Sequence, residues 1–160
     1  MSMIANFIPL SESELKSLLE DPETVSDLIY EDLEDRTIDI DKSWHAIHFT
    51  LNQDQWGGAE PFINVILGGT PVSEEDVGYG PARYLTPKQV KVVADALNEF
   101  GKSKFVSNFD SDKLNSNDIY PSIWDGTAET LDYVKEYFQV VCDTYAESAK
   151  SGKAMLLFLN

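Results

Sequence analysis

Ala154-Met-Leu-Leu-Phe-Leu159 is the stretch that decides the fold. A strand apolar at every position has no solvent face, so it belongs at the centre of a small sheet, covered on both sides. Near the other end, Met3-Ile-Ala-Asn-Phe-Ile8 reads as a second strand, short, mostly apolar and closed by Pro9. The sheet therefore uses both chain ends.

Between the two strands the chain carries helix signals. Ser11-Glu-Ser-Glu14 is a capping box: the Ser11 hydroxyl takes an amide N–H three residues on while Glu14 reaches back. Leu15, Leu18 and Leu19 then mark one buried face, and Asp21-Pro22 breaks the helix. Val25, Leu28, Ile29 and Leu33 predict a second, acidic helix. Lys42 to Leu51 predicts a short helix with Trp44, Ile47, His48 and Leu51 on one face, and His45 about 60° from His48 on the wheel. Gln53 to Glu60 is a polar loop, and Phe62 to Leu67 suits a short helix better than a strand. Gly78-Tyr-Gly-Pro-Ala-Arg-Tyr-Leu85 turns into an extended segment. Thr86-Pro-Lys-Gln89 caps a helix whose inner face is Val90, Val93, Ala94, Leu97 and Phe100. Residues 102–118 predict a short helix and a polar loop. The longest helix, about residues 127 to 150, buries Leu131, Val134, Phe138, Val141 and Tyr145 and ends at Gly152.

The architecture implied is α+β and helix-majority: a small mixed or antiparallel sheet using both chain ends, covered by several helices. No repeat or linker divides the 160 residues, so 1–160 reads as one domain. The single cysteine, Cys142, excludes an internal disulfide and suits a reducing compartment. The opening residues lack a basic n-region and no apolar run reaches membrane-span length, so the expectation is a soluble cytoplasmic protein.

Charge narrows the function. The chain carries 28 acids and 12 bases, net −16. Residues 1–41 alone hold twelve acids against Lys16 and Arg36. Such a surface repels phosphate, which excludes nucleic acid and anionic membranes as expected partners. It reads first as a solvated helix face, and in its sharper form as a docking face for a basic protein. Calcium fails: in Asn108-Phe-Asp-Ser-Asp112 the loop glycine is replaced by Lys113 and the closing glutamate by Ile119.

Several residues could carry chemistry. His45 and His48 stand at i, i+3, a spacing that can share a metal, yet His48 lies in a Trp-Ile-Leu stripe where a hydrogen-bonded core histidine is the commoner outcome. No cofactor or metal set is complete. Arg83, beside Tyr79 and Tyr84, suits either an internal ion pair that pins its loop or a clamp for an anion. Trp124-Asp125 stands at the mouth of the long helix, where Asp125 suits a cap. Cys142 reads as a small buried hydrophobe. No Gly-x-Ser-x-Gly elbow, His-Glu-x-x-His helix or Cys-x-x-Cys pair occurs.

Asp39-Ile-Asp-Lys-Ser-Trp-His-Ala-Ile-His48, Leu67-Gly-Gly69, Gly78 to Leu85 and Tyr120-Pro-Ser-Ile-Trp-Asp125 together resemble the signature segments of the YfbM-like family, small bacterial proteins whose domain has no established function. The resemblance covers nearly the whole chain. It implies a single-domain α+β protein of the bacterial cytoplasm and carries over no catalytic residue. Two functions from different classes follow from the residues. One is a non-catalytic module that engages a basic protein through the acidic N-terminal face. The other is an enzyme or small-ligand binder in which Trp44, His45, His48, Tyr79, Arg83, Trp124 and Asp125 surround an anionic metabolite, with His48 as acid or base and Arg83 on the anion.

Overall fold

The computed structural model describes residues 2–160. Its sheet has five strands: β1 (Ala5–Leu10), β2 (Ile38–Asp39), β3 (Thr70–Asp76), β4 (Pro81–Leu85) and β5 (Ala154–Leu159), in the order β2-β1-β5-β4-β3. Every neighbouring pair is antiparallel. The apolar segment β5 is central, paired along its length with β1 from Ala5↔Leu159 to Leu10↔Ala154, so both chain ends do build the sheet. Pro9 does not close the first strand, which runs on to Leu10. The Pro9 carbonyl accepts Arg36 Nη2 at 2.6 Å, on the side away from β5. The proline nitrogen shares that side, so its missing N–H breaks no bond of the ladder.

Two helical layers cover the sheet. On one face Ile8, Leu10, Leu156 and Phe158 pack beneath α1 (Glu12–Glu20) and α2 (Val25–Asp27). The latter opens into a π-helical turn, Leu28–Asp32, and a 3-10 turn, Glu34–Arg36. Leu15, Leu18, Val25, Ile29 and Leu33 are the buried side of that layer. On the other face Phe7, Leu85, Met155 and Leu157 meet α3 (Trp44–Asn52), α4 (Pro87–Asn108) and α6 (Ala128–Lys150), with α5 (Ser111–Ser116) after α4. Phe105 and Phe138 stack at 3.9 Å where α4 and α6 pair. Gly101, at φ 77°, interrupts α4, so residues 102–108 form the separate short helix expected from the sequence.

Both capping boxes form. Glu14 N–H donates to Ser11 Oγ at 3.1 Å while Ser11 N–H donates to Glu14 Oε1 at 2.8 Å; Thr86 and Gln89 repeat the exchange. Phe62–Val65 is a 3-10 turn, consistent with a helical reading. Helix α3 departs from expectation: Trp44 to Leu51 are buried all round, not along one stripe. Strands β2 and β3 were not foreseen, for reasons taken up in the Discussion.

Candidate functional site

Helix α3 ends at Asn52, and its two histidines hold the loop that follows. The Tyr120 N–H donates to His45 Nδ1 at 2.9 Å. An accepting Nδ1 leaves the ring proton on Nε2, which donates to the Gln55 carbonyl at 2.8 Å. His48 is 1% exposed. The Asn52 side-chain amide lies 3.3 Å from its Nδ1 and also donates to the His48 and Phe62 carbonyls. Nε2 of His48 is buried without a hydrogen-bond partner among the described residues. Burial lowers the pKa of both rings, and that of His48, further lowered by the charge of His45, falls to about 4. The backbone of Gly57 and Asp54 pulls the other way without closing hydrogen-bond geometry.

Around this pair lies an aromatic cluster. Trp44 stacks on His45 at 4.7 Å, and Trp56, 55% exposed, lies 4.5 Å from the same imidazole. Trp44 Nε1 donates to the Met3 carbonyl and the Met3 N–H donates to Tyr120 Oη, each at 2.9 Å. The cluster thus ties the start of the chain to residues 53–57 and 119–121. No group of three or more His, Cys, Asp or Glu side chains arranged for a metal occurs among the described residues.

Arg83 stands elsewhere, on β4. Its Nη1 donates to the Ile66 and Gly68 carbonyls at 2.8 and 2.7 Å, and no carboxylate among the described residues pairs with it. Burial draws its pKa down to about 10, against the neighbouring Tyr145. Tyr145 Oη donates to the Val65 carbonyl at 2.6 Å, so both side chains stitch the same turn. Tyr79 occupies the β3–β4 hairpin, with its N–H on the Leu159 carbonyl. Trp124 is buried against Phe109, its Nε1 donating to the Ile119 carbonyl at 2.8 Å. Asp125 is exposed and accepts from Thr127 N–H and Oγ1 and from Thr130 Oγ1, ordering the entry to α6. The Thr127 hydroxyl in particular holds that carboxyl below its usual range. Trp44, His45 and His48 stand together on α3, and among the described residues no hydrogen bond or ring contact joins Tyr79, Arg83, Trp124 or Asp125 to them, although Trp124 binds Ile119, the neighbour of the Tyr120 that binds His45; none of the seven lines any of five clefts on the surface.

The acids of residues 1–41 lie mostly on the outer side of the layer formed by α1, α2 and the two turns. Ten of the twelve are exposed. Glu14 is one of the exceptions, bound by both Arg36 Nη atoms at 2.7 and 3.1 Å, so its carboxyl is held at about 2. That pair uses the only arginine of the region, and Lys16 has no carboxylate partner among the described residues. Strand β3 adds exposed Glu74, Glu75 and Asp76, joined to the layer where Ser26 Oγ donates to Glu75 Oε1 at 2.8 Å.

Comparison with known proteins fixes the family. A family pattern described as a domain of unknown function, DUF1877, matches residues 1–158. The chain belongs to the DUF1877 family. The crystal structure of YfbM from Escherichia coli, a protein of unknown function, has the same fold: TM-score 0.77 at 20% identity, over 98% of this chain and 99% of that one. No curated protein matches the sequence.

In this DUF1877 domain the signature segments meet in pairs. His45 joins Tyr120, and Arg83 joins Gly68. Sequence reasoning singled out neither Trp56 nor the β3 acids; a tryptophan set between Asp54 and Gly57-Gly58 was the available signal for the first, and the Ser73-Glu-Glu-Asp76 run for the second. Among the described residues, no helix is long and apolar enough to cross a membrane.

Proposed function

We propose that this DUF1877 domain is a non-catalytic binding module whose acidic layer engages a basic protein. The observation that carries the reading is the lack of compensation: ten exposed acids of residues 1–41 and three more on β3 share a surface whose own arginine is bound to Glu14. Crowded carboxylates raise the local concentration of cationic partners and speed encounter. The anionic-metabolite reading has weaker support, because Arg83 and His45 are engaged with backbone groups of the fold. A cytoplasmic setting fits the single thiol of Cys142.

Capture on the immobilised chain from a lysate of the source organism, at low and high salt, tests the proposal. The control is a variant with Glu12, Glu20, Glu23 and Glu31 changed to glutamine. A basic protein retained by the wild type, released by salt and lost from the variant is expected. Retention that ignores both salt and substitution, or no basic protein at low salt, contradicts it.

A further inference from the structure

Residues 53–58 lie over the two histidines of α3, and little else holds them there. Gln53 is tied back to the helix, its N–H on the Phe49 carbonyl and its side chain on Phe49 and Thr50. Beyond it the bonds are internal, with the N–H groups of Trp56 and Gly57 on Asp54 Oδ1 at 3.0 and 2.7 Å. One bond differs. His45 Nε2 donates to the Gln55 carbonyl, the only hydrogen bond that joins residues 54–58 to the rest of the described residues. Trp56 adds its half-exposed ring, 4.5 Å from the same imidazole. His48 faces the backbone of Gly57 and Asp54 with its Nε2 buried and unpartnered.

Neither ring can take a second proton where it stands. In both, Nδ1 already accepts from a donor, so Nε2 carries the proton of the neutral form and a second one goes to Nδ1. There it would meet the Tyr120 N–H at 2.9 Å in His45 and the Asn52 amide at 3.3 Å in His48. Donor would face donor, and each new charge would sit on a ring 1% exposed. Little in the surroundings offsets this. Asp54 is the one carboxylate whose charge bears on His48, the His45 charge opposes it, and no charged side chain bears on His45. Of the elements packed on α3, the Asp41–Ser43 turn carries Asp41, which accepts from Tyr133 of α6, and Lys42; the Phe62–Val65 turn carries no charge. No acid or base of α4 or α6 bears on either ring, and the Tyr120 hydroxyl accepts the Met3 N–H.

We propose that residues 53–58 are an acid-released strap, latched on His45 and His48 while both imidazoles are neutral and lifted when they are protonated. Lifting lets water reach both charged rings and uncovers Trp44, which stacks on His45. Because the strap hangs on one hydrogen bond and one indole, it opens while the sheet stays closed. Asp54 remains ionised meanwhile, since the Gly57 and Trp56 N–H groups hold its carboxyl below the usual range. The device lies on the α3 face of the sheet, away from the acidic layer, and does not depend on a partner for that layer.

Amide exchange of the full chain, followed by NMR as pH falls from 6.5 to 4, tests the strap. The Tyr120 N–H reports the latch and the β5 amides report the whole fold. Corrected for intrinsic rates, Tyr120 protection should fall by at least ~10-fold across that range with an uptake above about one proton, while β5 protection changes far less. The Trp56 indole N–H, assigned with Trp56→Phe, should shift on the same curve as the His48 ring protons. In His48→Phe the uptake should drop to about one proton or less. Tyr120 protection that ignores pH, or that falls in step with β5, overturns the strap, as does His48→Phe with undiminished uptake. Should that variant fail to fold, the wild-type curves decide alone.

Discussion

At His48 the imidazole gives up hydration and gains one weak contact, the 3.3 Å amide of Asn52, so the fold holds it neutral. Its pKa falls from 6.5 to about 4. The unfolded chain therefore binds the proton first as pH drops, and the contribution is complete above pH 6.5 and lost progressively towards 4. Glu14 has the same sign in a lower window: bound by Arg36, it is held at about 2 from 4.5, so its contribution is lost as pH falls from 4.5 towards 2. Urea denaturation between pH 7 and 4 should show the His48→Gln variant losing up to about one proton of slope relative to wild type, with a cost of about 1–3 kcal/mol at pH 7. An unchanged slope would mean that His48 is hydrated or partnered. Glu14→Gln should leave the slope above about pH 5.5 untouched and reduce it below, and should cost about 1 kcal/mol, because it weakens both the cap of α1 and the hold on Arg36.

At the scale of elements, the Leu67-Gly68-Gly69 turn shows why its glycines are needed. A Cβ on Gly69, at φ 87°, would meet the Tyr84 carbonyl oxygen at 2.8 Å, and one on Gly68 would lie 2.7 Å from Asn64 Cα. Both obstacles are backbone. Gly69→Ala should therefore cost about 1–3 kcal/mol in chemical denaturation, whereas alanine at Gly80, with nothing within 4 Å, should cost less despite its own positive φ. What was legible in the sequence follows the same division between local and distant causes. Capping boxes at Ser11 and Thr86, the stripe of α6 and the all-apolar β5 are set by neighbours in the chain, and each formed where its residues pointed. Strand β3 buries only Val72 and carries three acids, so no alternation marks it; pairing with β4 makes it a strand. The two residues of β2 have no pattern to read. In α3 the sequence marked one apolar stripe, but the helix is buried all round, and His45 off that stripe is held by Tyr120 and Gln55, which lie in distant or looped chain. The candidate site was legible as charge. Its geometry was not, because the β3 acids join those of the helical layer only through the fold, where Ser26 meets Glu75.

Over the whole molecule the net charge of −16 is unevenly carried, and the sheet separates its most acidic layer from the α3, α4 and α6 side. Like charges so placed repel, and the compact state gains nothing from holding them together. Neutralising Glu12, Glu20, Glu23 and Glu31 to glutamine should therefore raise the thermal midpoint at low salt, with the gain shrinking at high salt as screening removes the repulsion. A variant destabilised at low salt would mean that these acids support the fold. The most direct test of the account is the dissociation constant of the captured basic protein, measured across a salt series for wild type and this four-residue variant. The account predicts that wild-type affinity falls steeply with salt, and that the variant binds at least ~10-fold more weakly at low salt and converges on wild type at high salt. Parallel curves of equal affinity would contradict it.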